Sequence, residues 1–211
     1  MFRRTKKSKV FCIGQNKTGT TSLEVLLESL GYRMGSQSSG EMLLRDWSMR
    51  NFRRILQLAR TADAFQDIPF SLRFTFIALD QHFPGAKFIL TERESAVAWF
   101  ESLVRFHTGL IGKGRVPTAA DLKACPYRYP GFLWDAQQAK YGVTDDETLY
   151  QRERYVDVYK RHNQEVKDYF RGRPEDLLVV NVGESHAVRA TYEFLGHPYR
   201  GEVMPHENAS K

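Results

Sequence analysis

An α/β fold, a parallel β-sheet flanked by helices, is predicted by three features of the sequence. Short, continuously apolar runs recur along the chain, as strands buried on both faces do. They alternate with stretches whose apolar residues return every three or four positions, the spacing of an amphipathic helix. Strand and helix in alternation argue for a parallel sheet covered on both faces. At 211 residues, with 42% apolar and 13% aromatic residues, one well-packed domain is expected.

Val10-Phe11-Cys12-Ile13 is a short apolar run that ends at Gly14 and reads as the first strand. From Thr20 onward, Leu23, Leu26, Leu27 and Leu30 mark one face of a helix, and Gly31 stands where it should stop. Residues 49–60 place Phe52, Ile55, Leu56 and Ala59 on one side of a second amphipathic stretch. Ala64-Phe65-Gln66 is a brief strand ending at Asp67-Ile68-Pro69, and a helix over 72–82 stops at Pro84-Gly85. Lys87-Phe88-Ile89-Leu90-Thr91 is the clearest strand and runs through Glu92-Arg93-Glu94 into a helix over 96–106. Residues 108–147 lack periodicity and carry scattered Gly and Pro, so they read as an insertion or lid. A long helix over 149–170, a buried strand over 177–182 and a helix over 186–195 complete the pattern, and 197–211 is irregular. In parallel sheets ligands bind beyond the carboxyl ends of the strands. That directs attention to residues 14–22, 67–70, 92–95 and 183–185.

The most informative segment is Gly14-Gln15-Asn16-Lys17-Thr18-Gly19-Thr20-Thr21-Ser22, between a strand and a helix. Glycines allow a tight turn, and successive backbone N–H groups can converge on an anion. The helix N-terminus adds partial positive charge at the same point. Lys17 supplies a mobile cation, and Thr20, Thr21 and Ser22 supply hydroxyls. A capped glycine turn with a surface lysine is the plainer reading. The nucleotide-triphosphatase loop is G-x-x-x-x-G-K-[ST]. Here Gly14 and Gly19 keep that separation and Thr21 takes the hydroxyl position, but Thr20 stands in place of the lysine, which has moved to position 17.

That departure resembles the phosphosulfate-binding loop of sulfotransferases that use 3′-phosphoadenosine 5′-phosphosulfate (PAPS), whose sulfotransferase architecture shares the phosphate-loop fold. The resemblance covers most of the chain outside 108–147. It implies a second element, a strand ending in Arg followed by a helix carrying Ser, which grips the 3′-phosphate of PAPS and of its product, 3′-phosphoadenosine 5′-phosphate (PAP). Arg93 and Ser102 match it, although nine residues separate them where the family has eight; Ser95 is the alternative. The chain's Phe194-Leu195-Gly196 and Pro205-His206-Glu207-Asn208 are similar to the ends of bacterial sulfotransferases, so His206 and Asn208 are either nucleotide contacts or exposed tail.

The resemblance implies that Asn16, Lys17, Thr18, Gly19, Thr20, Thr21, Ser22, Arg93, Ser102 and Asn208 bind the donor, with no metal. Lys17 would stabilise the leaving 5′-phosphate, and the N–H groups of residues 18–21 would hold it. An acceptor hydroxyl also needs a base. Asp67 occupies the corresponding strand end and is read either as that base or as a helix cap. His107 is the rival base. Glu92 reads as structural. Trp99 is either an adenine platform or a core residue. Tyr127, Tyr129, Phe132 and Trp134 either stack on an acceptor or form the insertion's own small core.

Charge bears on partners. The net charge is +6, and Arg3, Arg4, Lys6, Lys7 and Lys9 supply nearly all of it. Residues 1–9 therefore read as a solvated basic tail, or as a contact for nucleic acid or an anionic membrane. The near-neutral body, 10–211, speaks against a specific nucleic-acid partner. No apolar run is long enough to span a bilayer, and Val10 to Ile13 is too short for a signal peptide. Two cysteines, Cys12 and Cys125, make no disulfide framework, which fits a reducing, cytoplasmic location. The expected activity is metal-independent sulfuryl transfer from PAPS to a hydroxyl or amine on a glycan, lipid or small molecule. The alternatives are a kinase or nucleotidase using ATP or GTP with Mg²⁺, and a non-catalytic nucleotide- or polyanion-binding module.

Overall fold

The computed structural model describes residues 7–204. Among them, four strands form one all-parallel sheet: β1 (Val10–Cys12), β2 (Ala64–Phe65), β3 (Lys87–Thr91) and β4 (Leu177–Val180), in the order β2-β1-β3-β4. Phe11 pairs with Phe65 on one side and with Phe88 on the other, and Phe88 pairs with Leu177.

The period-two alternation of β1 divides the core. Phe11 and Ile13 face one side with Phe65, Phe88 and Leu90, while Val10 and Cys12 face the other with Ala64 and Ile89. The second face is covered by α1 (Thr20–Ser29), through Leu23, Leu26 and Leu27, and by α10 (Ala187–Phe194), through Ala187, Val188 and Tyr192. The first face receives five helices among the described residues. These are α3 (Leu44–Ser48), α4 (Arg53–Leu58), α5 (Thr75–His82), α8 (Phe132–Tyr141) and α9 (Arg152–Tyr169). A short α2 (Gln37–Glu41) precedes α3. A third apolar cluster joins α6 (Ala96–Leu110), α7 (Ala119–Ala124), α8 and α9 through Trp99, Leu103, Leu122, Trp134, Tyr155 and Tyr159.

Several expectations are revised. Residues 108–147, read as an insertion or lid for want of periodicity, hold the end of α6, all of α7 and all of α8. Their aromatics form no separate small core. Phe132 enters the main core and Trp134 the third cluster, because neighbouring helix positions face different partners. The amphipathic stretch at 49–60 is shorter as a helix, since α3 ends before Arg50 turns to a φ of 57°; Ile55 and Ala59 are nonetheless buried as predicted. The helix expected from residue 72 begins at Thr75. Lys7 and Lys9 are tied to the body, Lys7 while remaining exposed. Lys7 Nζ donates to the Leu30 carbonyl and Lys9 Nζ to the Ala62 carbonyl, each at 2.6 Å. Arg3, Arg4 and Lys6 lie outside the described residues, as do His206 and Asn208.

Gly14, just past β1, packs directly under the end of β3. A Cβ at this position would lie 2.1 Å from Thr91 Oγ1 and 2.6 Å from the Thr91 backbone nitrogen and oxygen. Backbone atoms in mid-sheet cannot step aside, so Gly14→Ala should force β1 and β3 apart and cost about 1–3 kcal/mol. Urea unfolding of the variant checks this, with a lower midpoint at unchanged slope expected.

Candidate active site

All four strands run parallel, so their carboxyl ends open on one edge, and there a cavity of about 730 Å³ forms. Residues beyond each strand line it: Asn16, Lys17 and residues 19–22 after β1, Asp67 after β2, Arg93 after β3, and Asn181, Val182 and Gly183 after β4. His107 of α6 and Lys140 of α8 complete the wall.

The loop between β1 and α1 enters the helix through two left-handed residues, Lys17 (φ 70°) and Gly19 (φ 91°). Gly19 is the N-cap, and a Cβ there would fall 1.9 Å from Val182 Cγ2. The loop is anchored from several sides. Thr18 is wholly buried; its hydroxyl bonds the Gln15 carbonyl and the Thr91 hydroxyl, each at 2.5 Å. Its side chain therefore anchors the loop and leaves only its N–H for a ligand. Trp99 Nε1 donates to the Asn16 carbonyl at 3.0 Å, and Lys140 Nζ donates to Asn16 Oδ1 at 3.1 Å. Tyr141 donates to Gln15 Oε1 at 3.2 Å. Trp99 is fully buried and stacks on Tyr159 with centroids 4.4 Å apart, so it is a core residue and no adenine platform.

Arg93 joins the loop to α6. Its Nε donates to the Lys17 carbonyl at 2.9 Å and its Nη2 to Ser102 Oγ at 3.1 Å. The nine-residue separation is therefore no obstacle to bringing Arg93 and Ser102 together. Ser95 is otherwise engaged: it is the N-cap of α6, and its hydroxyl accepts from the Ala98 N–H at 3.0 Å. Glu92 pairs with Lys167 at 2.8 Å, the structural role expected of it.

Lys17 Nζ lies 4.2 Å from the centroid of the Phe106 ring. Burial, then Arg93 and Arg105, lower its pKa from the ordinary lysine value. On the β2 side stands Asp67, with a φ of 55°. It caps no helix, since α5 begins eight residues later behind its own N-cap, Phe74. One carboxylate oxygen accepts from Gln37 Nε2 at 3.2 Å, the Thr20 hydroxyl also bonds the group, and Oδ1 is buried without a partner. Burial, and then Glu41, push its pKa up to about 6, against the opposing pull of Lys140. His107 is buried, with Nδ1 2.7 Å from the Tyr150 hydroxyl. Burial, then Lys140 and Lys17, push it down to about 4.

Sequence reasoning missed Lys140, Gln37, Glu41 and Arg105, all of which line the cavity. Lys140 is held by burial at about 8, below the ordinary lysine value, with Asp67 opposing the shift. It lies in the segment read as an insertion, where no motif marked it. Among the described residues, no group of three or more His, Cys, Asp or Glu is arranged to hold a metal ion. No described helix is long and apolar enough to cross a membrane.

The loop at the end of a central parallel strand is thus bonded to an Arg–Ser pair from beyond the next strand. The family model described as a sulfotransferase domain matches residues 9–211, and the chain belongs to the sulfotransferase family. Its activity is accordingly sulfuryl transfer between a donor and an acceptor. Comparison with curated proteins gave no match.

The buried titratable groups set how the fold responds to acid. His162 is fully buried beneath the loop, with Nε2 2.8 Å from the Ile13 carbonyl, and burial pushes it, like His107, to about 4. Both histidines stay neutral in the fold and take up a proton on unfolding in acid. Asp67 acts in the opposite sense, because a folded value near 6 lets the native state bind its proton first. Between about pH 4 and 6 the unfolded chain thus binds about one proton more from these three groups. Stability should fall as pH drops from 6 to 4, by about 1.4 kcal/mol per pH unit. Urea melts across that range check it: Asp67→Asn should steepen the slope, and His162→Gln should flatten it.

Proposed function

We propose that the protein transfers a sulfuryl group from PAPS to an acceptor hydroxyl or amine, without a metal ion. The observation that carries this reading is the fork of Arg93, which bonds both the Lys17 carbonyl and Ser102 Oγ. A guanidinium so oriented stands beside the phosphate loop, where a second phosphate on one ligand can be met by a charge-assisted pair. The donor set suits PAPS. Lys17, Arg93 and Arg105 and the N-terminus of α1 all face one cavity, and a ligand with phosphates at both the 5′ and 3′ positions matches that distribution.

PAPS, when bound, supplies an activated sulfuryl group whose S–O bond to the 5′-phosphate breaks in the transfer. The N–H groups of Thr18, Gly19, Thr20 and Thr21 hold that phosphate at the start of α1. Lys17 leaves the Phe106 ring and neutralises the charge that develops on the leaving oxygen. Arg93 with Ser102 holds the 3′-phosphate. Asp67 takes the acceptor's proton. A carboxylate near 6 is ionised at neutral pH and more basic than an ordinary aspartate, whereas His107 near 4 is a weaker base already bonded to Tyr150.

Ligand-induced melting shifts test the donor. PAP in EDTA should raise the midpoint by about 5–10 °C at saturating concentration, and ADP should do so much less. Arg93→Ala should remove most of the difference between the two. Stabilisation by ADP with Mg²⁺ and none by PAP would overturn the reading in favour of a kinase.

The base is tested separately. Asp67→Asn should lower turnover about 10²–10⁴-fold and leave the PAP shift intact. In the unchanged protein kcat/KM should fall below about pH 6, as Asp67 takes up its proton. Retained turnover in the variant would move the role to His107.

A further inference from the structure

The strand order β2-β1-β3-β4 separates the cavity's charges. The donor cations Lys17 and Arg93 follow β1 and β3. Toward β2, the opposite side, the cavity is lined by three carboxylates: Glu24 of α1, Glu41 of α2 and Asp67. Two of these have cationic company. Arg128 is bonded to Glu41, which Tyr127 and Gln37 also contact, and Lys140 lies close enough to Asp67 to oppose its shift. Glu24 has no ion-pair partner among the described residues. Its contact is the Gln66 amide, whose Nε2 donates to it at 2.5 Å. Burial, and then Glu28, raise its pKa above the usual carboxylate value.

A second observation on the same wall points the same way. Gln66 lines the cavity and is only 7% exposed, yet its Oε1 has no hydrogen-bond partner. A buried amide oxygen without a donor is costly, and Glu24, half-buried beside it, has an amide rather than a cation for company. Gln66 precedes Asp67 in the chain, and Glu24 accepts from Gln66 in the same cavity. Among the described residues, Glu24 therefore has an amide but no cation beside it, and the Gln66 amide oxygen has no donor. An anionic acceptor group at this point would face the Glu24 carboxylate.

We propose that the acceptor carries a protonated amine near the hydroxyl to be sulfated, with Glu24 and the Gln66 amide oxygen holding the ammonium while Asp67 meets the hydroxyl. This inference rests on the PAPS reading above and names its acceptor class. The ammonium stays a ligand and loses no proton. Its charge offsets Glu24, so specificity comes from pairing a carboxylate that the described residues leave without a cation.

The test compares acceptors that differ only in acetylation of the amine: 2-amino-2-deoxyglucose, tyramine and 4-aminobutanol, each against its N-acetyl derivative. PAP release from PAPS is the readout, and the PAP melting shift is recorded in parallel. The expected result is a preference of roughly ten-fold or more in kcat/KM for the free amine. Glu24→Gln should abolish that preference and leave the PAP shift unchanged, and Glu24→Asp, which keeps the charge, should retain part of it. Equal or better use of the acetylated partners, no turnover of any free amine while PAP binds, or a preference that survives Glu24→Gln would each overturn the inference and leave the PAPS reading standing. Failure of PAP to stabilise the protein would instead remove the reading on which it rests, and the inference with it.

Discussion

The site depends on how closely the phosphate loop is held to the end of β3. Gly14 leaves no room for a side chain under Thr91, and the Thr18 and Thr91 hydroxyls bond each other across the gap. Two residues beyond Thr91, Arg93 reaches back to the Lys17 carbonyl and forward to Ser102. These contacts are possible because β1 and β3 are adjacent and parallel, so their carboxyl ends emerge side by side. A loop with two left-handed residues has little intrinsic preference for one shape. Its conformation is imposed by buried partners on β3, α6 and α8.

The same sheet order distributes charge. Following β1 and β3, the N-terminus of α1, Lys17 and Arg93 make one part of the cavity strongly attractive to anions. Toward the edge strand β2, carboxylates and amides replace the cations. The two fields meet at Asp67 and Lys140. There, burial lifts the acid to about 6 and lowers the lysine to about 8, while each group's charge opposes the other's shift.

Helices α7 and α8 make the segment at 108–147 part of the site's wall. Tyr141 and Lys140 brace the start of the phosphate loop, and Phe132 seats α8 in the main core. The aromatic residues of this stretch therefore fasten the wall to the domain. Tyr127 also has a polar task, since its hydroxyl bonds Glu41 at the cavity's edge.

The local features were legible in the amino-acid sequence. The continuous apolar runs marked β1, β3 and β4, leucine spacing marked α1, and the order of glycine, lysine and hydroxyl residues marked the anion loop. Each is written into neighbouring residues by backbone sterics and side-chain periodicity. Distant partnerships left no such trace. Nothing near Lys140 announces that it reaches Asn16, 124 positions away in the chain. Nor does anything near Glu24 announce Gln66, 42 positions away. Asp67 read equally well as a cap or a base until the late start of α5 removed the helix it could have capped. Trp99 read as a possible adenine platform until its burial against Tyr159 made it core. Burial, charge company and pKa belong to the assembled surfaces of several elements. The sequence by itself determined the strands, the leucine-faced helix α1 and the glycine-lysine-hydroxyl loop between β1 and α1, and only the packing of the elements decided which side chains share the cavity and in what ionisation state.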